Sequence, residues 1–245
     1  MATDIVFGKH PVMEVLRAGK RAVEAVFYVQ HAAPKMQDLL GLAQKKGIPL
    51  KTASPHQLDQ RAQGGLHQGV LAVVEPVQPH DLDFFIDLVR SKSPKPVVVV
   101  MDSIEDPHNF GAILRSAETF GVAGAIFPKD RSCDINSTVV KTSAGATEYL
   151  DFCRVTNIAE TLRQLRREGF YIVAAEADGE KQLPDFTPQF PLAIVVGSEG
   201  KGVRPLVKKN CDETVCIPLS GKVESLNVST AAAIFFYETA KHARR

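Results

Sequence analysis

The sequence predicts an α/β protein in two parts, the second built on a mostly parallel sheet. Three observations point there. Apolar runs alternate with helix-period segments along the whole chain. The runs of the back half (VVVVM, AGAIFP, FYIVAAEA, LAIVVG, TVCIPL) are nearly continuous, as strands buried on both faces are. Between the two parts lies VEPVQPHDLDFFIDLVRSKSPKP, where Pro76, Pro79, Pro94 and Pro96 break regular structure. The expected organisation is a front domain at 1–76, a connector at 77–96 and a back domain at 97–245.

In the front part, HPVMEVLRAG reads as a helix closed by Gly19, and EAVFYV as a strand. PKMQDLLGLAQKKG is a helix with Pro34 near its start and Gly47 at its end. IPLKTA is a strand, SPHQLDQRA a short helix capped by Ser54, and GVLAVVEP a strand. In the connector, Leu82, Phe85, Ile86 and Val89 recur at helical spacing, so a short helix is expected. In the back part the strands alternate with helices such as the amphipathic NIAETLRQLRREG.

Composition narrows the function classes. The chain is 44% hydrophobic and 23% charged, enough to bury a core. No apolar stretch approaches the roughly 20 residues of a membrane span. MATDIVFGKH carries no signal or transit pattern, so a cytoplasmic protein with no membrane partner is expected. Cys133, Cys153, Cys211 and Cys216 form no C-x-x-C pair and read as reduced packing residues. The histidines form no metal-binding spacing, so no metal is expected. Net charge is +1, and residues 1–76 are mildly basic, with nine Lys/Arg against six Asp/Glu. A phosphate backbone or plain solvent would suit that surface equally.

GSEGKG, after the run Leu192 to Val196, looks like a phosphate loop. The P-loop template G-x-x-x-x-G-K-[S/T] fails, because the residue after Gly202 is Val203 and not lysine. The dinucleotide fingerprint fails too: the glycine order is G-x-x-G-x-G, and Pro205 follows closely. Glu199 sits mid-loop, where it would repel a phosphate. The loop therefore suits a ligand other than a polyphosphate.

Ligands of open α/β sheets gather beyond the carboxyl ends of strands. Three polar segments begin at such ends: DSIEDPHNFGAILRSAETFG, SEGKGVRP and SGKVESLNVSTAAAIFF. Parallel strands would bring all three to one edge. In the first, Asp106 caps a helix, Pro107 suits its first turn, and Phe110, Ile113, Leu114, Ala117 and Phe120 form its apolar stripe. Arg115 falls off that stripe and shares a face with His108 and Gly111. Helix geometry leaves two readings open, a ligand contact or a surface arginine paired with Glu118 or solvent. In the third segment, Ser225, Asn227 and Ser229 precede a largely apolar helix, and one of them caps it.

Taken together, DPHNFGAILRSAETFG, IVVGSEGKGVRP and IPLSGKVESLNVSTAAAIFFYE resemble the three motifs of the SPOUT class of S-adenosylmethionine-dependent RNA methyltransferases, in its TrmH/SpoU ribose-methylating branch. Order and spacing both fit. FGKHPVMEVLRAG, GLHQGVLA and FPKDRSCDINSTVVKTSAGATE resemble the bacterial subfamily that methylates a guanosine ribose in 23S rRNA, so the resemblance covers the whole chain. It implies a ribosomal-protein-like RNA-binding domain in front and a SPOUT α/β domain behind, with a C-terminal trefoil knot that periodicity does not predict. It implies S-adenosyl-L-methionine as cofactor, contacted by Gly197, Gly202, Ile217, Leu219 and Leu226. Asn109, Arg115, Glu199, Ser225 and Asn227 would line the reacting centre, with a ribose 2′-hydroxyl as acceptor. Lys9, His10, His67 and Gln68 are the candidates for RNA contact, or else turn residues that orient the domains. The partners implied are 23S rRNA, free or in a ribosomal assembly intermediate, and a second copy in a homodimer through the C-terminal domain. The alternatives are the same chemistry on tRNA or another rRNA ribose, a non-catalytic assembly factor, and a nicotinamide oxidoreductase whose fingerprint is missing.

Overall fold

The structure, a computed structural model, describes residues 3–223 and 225–243. In chain order the elements are β1 (Asp4–Phe7), α1 (Lys9–Ala18), β2 (Val23–Tyr28), α2 (Gln37–Lys45), β3 (Leu50–Thr52), α3 (Pro55–Arg61), β4 (Val70–Val74), α4 (Leu82–Lys92), β5 (Val97–Asp102), α5 (Pro107–Thr119), β6 (Gly124–Pro128) and α6 (Ser137–Thr142). There follow β7 (Asp151–Val155), α7 (Ile158–Arg167), β8 (Tyr171–Ala175), β9 (Lys181–Gln182), β10 (Leu192–Gly197), α8 (Pro205–Lys208), β11 (Glu213–Cys216) and α9 (Val228–Ala243). They form two compact units: Met1–Gln78 with Ile135–Tyr149, and Pro79–Asp134 with Leu150–Arg245.

The front unit is a four-stranded sheet in the order β1-β4-β2-β3, with only the β2–β3 pair parallel. Val12, Val15 and Leu16 of α1 and Leu39 and Ala43 of α2 pack with Val6, Val26, Val70, Ala72 and Val74. Local signals behave as their chemistry requires. Gly19 ends α1 at φ 62°, and Ser54 opens α3 with a capping box to Gln57. The helix expected from Pro34 divides, because Gln30–Met36, which contains Pro34, winds as a 3₁₀ segment before α2 begins.

Two boundaries differ from the sequence expectation. The stretch Ile135–Tyr149, expected within the back domain, packs in the front unit. Arg21 and Glu148, both buried, form a two-pronged ion pair, with Nε to Oε2 at 3.0 Å, and the Tyr149 hydroxyl donates to Glu14 at 2.5 Å. Val140 enters the front core. Gly145 is required there: at φ 89°, a Cβ on it would stand 2.7 Å from the Glu14 Cβ. The connector helix is likewise no free linker. Phe85, Ile86 and Val89 of α4 are buried in the back core with Val98, Val100, Leu162 and Leu165.

The back unit is a seven-stranded sheet in the order β7-β6-β5-β10-β8-β11-β9, and every pair in it is parallel. The continuous apolar runs sit at its centre: all six residues of β5 and all six of β10 are buried. Because β5, β10, β8 and β11 are neighbours and parallel, the segments that follow them reach one edge of the sheet.

Candidate active site

The Gly-rich loop closes on itself at that edge. Ser198 N donates to Gly202 O at 3.1 Å and Gly202 N to Ser198 O at 2.9 Å, so Glu199, Gly200 and Lys201 form a tight projection. Gly197 lies against the returning chain. A Cβ there would stand 2.0 Å from the Gly202 carbonyl carbon, which no backbone could accommodate.

Two carboxylates hold the loop down. Asp102, at the end of β5 and fully buried, accepts from Arg204 N at 3.0 Å and Nε at 2.8 Å and forms an ion pair with Nη2 at 2.5 Å. Glu176, just past β8, accepts from Val203 N at 2.7 Å and lies 3.3 Å from Lys208 Nζ. Sequence reasoning missed both. The signal was there, since each is a carboxylate that ends an apolar run at the ligand-bearing edge.

Next to the loop, Asp106 caps α5 by accepting from His108 N and Asn109 N, which places Asn109 on the first turn. Its side chain then joins a polar chain. Asn109 Nδ2 donates to Glu199 Oε2 at 3.1 Å, and Asn227 Nδ2 donates to Asn109 Oδ1 at 2.9 Å. Asn227 Oδ1 accepts from Ser229 N at 2.9 Å and Oγ at 2.6 Å, so Asn227 is the residue that caps α9. Segments distant in sequence thus lock one another's side chains in place.

A cavity of about 380 Å³ opens beside this chain. Gly197, Gly202, Ile217, Leu219 and Leu226 line it, and so do Glu199, Ser225 and Asn227. Phe235, Val196 and Ala231 supply apolar wall. Among the described residues, Glu176 and Glu199 are its only ionisable lining groups, and no lysine, arginine or histidine lines it. A second cleft, of about 480 Å³, shares Ser198, Glu199, Gly202 and Val228 with the first and adds Asn109, Arg131, Lys201 and Arg204.

Arg115 is not brought to either cavity. It lies six residues beyond Asn109 on α5, hence on another face, and is exposed. No ion pair to Glu118 or to any other described residue engages it. In the front unit, Lys9 Nζ donates to Lys35 O at 2.6 Å, and Gln68 Oε1 accepts from Lys9 N at 3.0 Å. The His67 ring lies 3.0 Å from Asp59 Oδ1 and accepts from Gly69 N, while His10 is exposed on α1. Elsewhere in that unit, a hollow of about 270 Å³ is lined by Phe27, Gln57, Gln60 and Arg61, with the Arg61 guanidinium 4.3 Å and Lys51 Nζ 5.5 Å from the Phe27 ring centre.

Residues 96–237 match the SpoU rRNA Methylase family, and residues 5–80 match the RNA 2′-O ribose methyltransferase substrate binding domain. The chain belongs to the SpoU rRNA methylase family. It is 35% identical over 240 residues to the 23S rRNA (guanosine-2′-O-)-methyltransferase RlmB of Escherichia coli, covering 98% of each chain. It is 37% identical to a Bacillus subtilis protein named as a TrmH family tRNA/rRNA methyltransferase, YacO, over 96% of this chain and 94% of that one. Among solved structures, the SpoU methyltransferase AviRb of Streptomyces viridochromogenes superposes with a TM-score of 0.80 at 25% identity, covering 99% and 90% of the two chains. An AdoMet-bound rRNA methyltransferase of Sinorhizobium meliloti shares the fold, with a TM-score of 0.79 at 20% identity over 98% of this chain and 87% of that one. Within this SpoU chain, every residue expected at the cofactor lines the first cavity, and of those expected at the reacting centre only Arg115 lies outside both cavities.

Proposed function

We propose that this RNA 2′-O-methyltransferase transfers a methyl group from S-adenosyl-L-methionine to the ribose of a guanosine in 23S rRNA. The observation that carries the reading is the first cavity's lining: apolar walls, close-approaching backbone at Gly197, two carboxylates and, among the described residues, no cationic side chain. A polyphosphate would be repelled there. A nucleoside bearing a sulfonium cation fits, and its sulfonium supplies an activated methyl group. The near-complete match to a chain named for the guanosine ribose of 23S rRNA favours that acceptor.

This chain's residues would act as follows. Ile217, Leu219 and Leu226 hold the apolar part of the cofactor, with Gly197 and Gly202 admitting it close to the backbone. Among the described residues, Glu199 is the only ionisable side chain common to both cavities. It is therefore placed to face the cationic donor from one side and to accept the hydrogen bond of the ribose hydroxyl from the other. Asn109 and Asn227 fix its orientation, and Ser225 closes the wall. When bound, the cofactor would supply an activated methyl group to the hydroxyl oxygen, and Glu199 or solvent would take the hydroxyl proton. Positioning the hydroxyl in line with the methyl provides much of the acceleration.

Arg115 remains a phosphate-binding group in this reading. An arginine is effectively always protonated, which suits it to stabilise charge rather than to remove a proton. Since it lies outside its own chain's cavities, we place it at the homodimer contact that the family resemblance implies, serving the second copy. Arg115→Ala would then abolish transfer while sparing cofactor affinity. Mixed dimers of Arg115→Ala with Asn227→Ala chains would regain activity at one site. The C-terminal knot and a cytoplasmic location belong to the same reading. In the front unit, Lys9 and His10, with His67 and Gln68 shaping their turn, and the cations around Phe27 are the surfaces offered to RNA.

The second reading keeps the chemistry and changes the acceptor to tRNA, as the naming of the Bacillus subtilis relative allows. Labelled S-adenosyl-L-methionine offered with protein-free 23S rRNA, 16S rRNA and tRNA decides between them. Label confined to 23S rRNA supports the proposal, and label confined to tRNA overturns its acceptor. Cofactor binding without label in any of the three removes the free-RNA form of the proposal; label appearing in a 23S assembly intermediate would restore it in that form.

A further inference from the structure

The second cleft contains a cation that costs the fold energy to present. Among the described residues of the back unit, only two non-glycine residues have a positive φ, Ser103 at 65° and Arg131 at 56°. Both line this cleft. The left-handed region is unfavourable for any residue with a Cβ, and glycine would occupy position 131 without that cost. The loop is held on either side of Arg131: Lys129 N donates to Val155 O and Cys133 N to Ile104 O, each at 2.8 Å. Strain kept in place by such anchoring is a mark of functional sites.

The charges of the cleft are unequally committed. Arg204 is neutralised by buried Asp102, Asp106 caps α5, and Glu199 accepts from Asn109. Glu105 is exposed to water. Arg131 and Lys201 are exposed and form no ion pair among the described residues. Two uncommitted cations therefore border a cleft that shares Glu199 with the cofactor cavity.

We infer that Arg131, assisted by Lys201, forms a phosphate subsite that positions the acceptor strand, gripping a phosphodiester next to the target ribose. This rests on the methyltransferase reading given above. A guanidinium suits the role because its planar fork pairs with two phosphate oxygens at once.

The test compares Arg131→Gly and Arg131→Lys with the unmodified chain, using 23S rRNA and S-adenosyl-L-methionine as probes. Arg131→Gly relieves the backbone, so its melting temperature should hold or rise. Cofactor affinity should stay within about two-fold, while KM for RNA rises roughly ten-fold. The slope of log affinity against log salt should become shallower by about 0.7 to 0.9, the loss of one phosphate contact, and Arg131→Lys should recover most of that slope. An unchanged slope and KM in Arg131→Gly would overturn the subsite. So would a loss of cofactor affinity with RNA affinity intact, or a fall in melting temperature that accounts for the RNA defect and that Arg131→Lys shares. Failure of the parent reading is distinct: the unmodified chain would then bind no cofactor or transfer no methyl group.

Discussion

Arg204→Ala should destabilise the back unit more than Asp102→Asn does, although the two changes break the same pair. Asp102 is fully buried, and its side-chain partners among the described residues all come from Arg204: hydrogen bonds from the backbone N and from Nε, and an ion-pair contact with Nη2. Removing the arginine side chain strips away the last two and leaves a buried carboxylate with one backbone donor. Breaking a buried pair in this way costs about 3–5 kcal/mol. The Arg204 side chain is 43% exposed, so water can reach the vacated space, and we expect the lower end, about 3 kcal/mol. Asp102→Asn leaves the charge on that half-exposed guanidinium, which water can solvate, and should cost about 1–2 kcal/mol. Part of the loss should appear at the loop itself. If the chain from Ser198 to Val203 leaves its closed form, apparent cofactor affinity falls by the fraction still closed, ten-fold for each 1.4 kcal/mol or so. Urea unfolding followed by circular dichroism, with cofactor titrations on the same samples, measures both. An Asp102→Asn cost equal to or above that of Arg204→Ala, or an Arg204→Ala cost below about 1 kcal/mol, would refute the reasoning.

Other perturbations address separate parts of the account. Gly197→Ala should abolish cofactor binding in calorimetry with the fold retained by circular dichroism, since its Cβ would collide with the Gly202 backbone at 2.0 Å. Burial, with Asp81 adding to it at Cys153 and Asp212 at Cys211, pushes both thiols from 9.0 up to about 12. At pH 8 their thiolate fraction should fall about a thousand-fold below that of an ordinary cysteine, so iodoacetamide mass mapping should find both unmodified until the protein unfolds. Glu148→Gln removes the buried charge that faces Arg21, leaving it the Glu75 carbonyl at 3.2 Å and Asp4 at 3.8 Å, and should cost about 3 kcal/mol, with new proteolytic cuts within residues 135–149. A Lys51→Ala, Arg61→Ala pair should weaken RNA binding in filter assays and leave cofactor affinity alone; unchanged RNA affinity would remove the Phe27 hollow from the RNA surface.

What the sequence made legible was mostly local chemistry. Asp106 and Pro107 announced α5, Gly19 ended α1, and continuous apolar runs announced parallel strands buried on both faces. The expectation that the loop does not hold a polyphosphate rests on Glu199 and the order of glycines. Three strands were not seen: β1, β7 and the two-residue β9. β1 has four residues, too few to show a period, and in β7 the run is broken by Asp151 and Arg154. Asp151 is buried because Lys92 reaches it across 59 positions, a pairing no local pattern encodes. That residues 135–149 pack in the front unit was not legible for the same reason, since Arg21 and Glu148 stand 127 positions apart. Periodicity says which face of a helix is apolar but not which unit covers it, so α4 read as a linker although its apolar face belongs to the back core. At the site, the motifs marked residues that line the first cavity. They did not mark Asp102 and Glu176, which hold the loop from below, nor the second cleft, which exists only once β5 and β10 are neighbours.

The most direct test of the central claim is the chemical position of the transferred methyl group. RNA methylated with labelled S-adenosyl-L-methionine would be digested with alkali and, separately, to nucleosides for mass spectrometry. A ribose 2′-O-methyl group blocks cleavage of the adjacent phosphodiester. The account predicts label in an alkali-resistant dinucleotide and in 2′-O-methylguanosine. Label in alkali-sensitive mononucleotides carrying a base methyl group would contradict it.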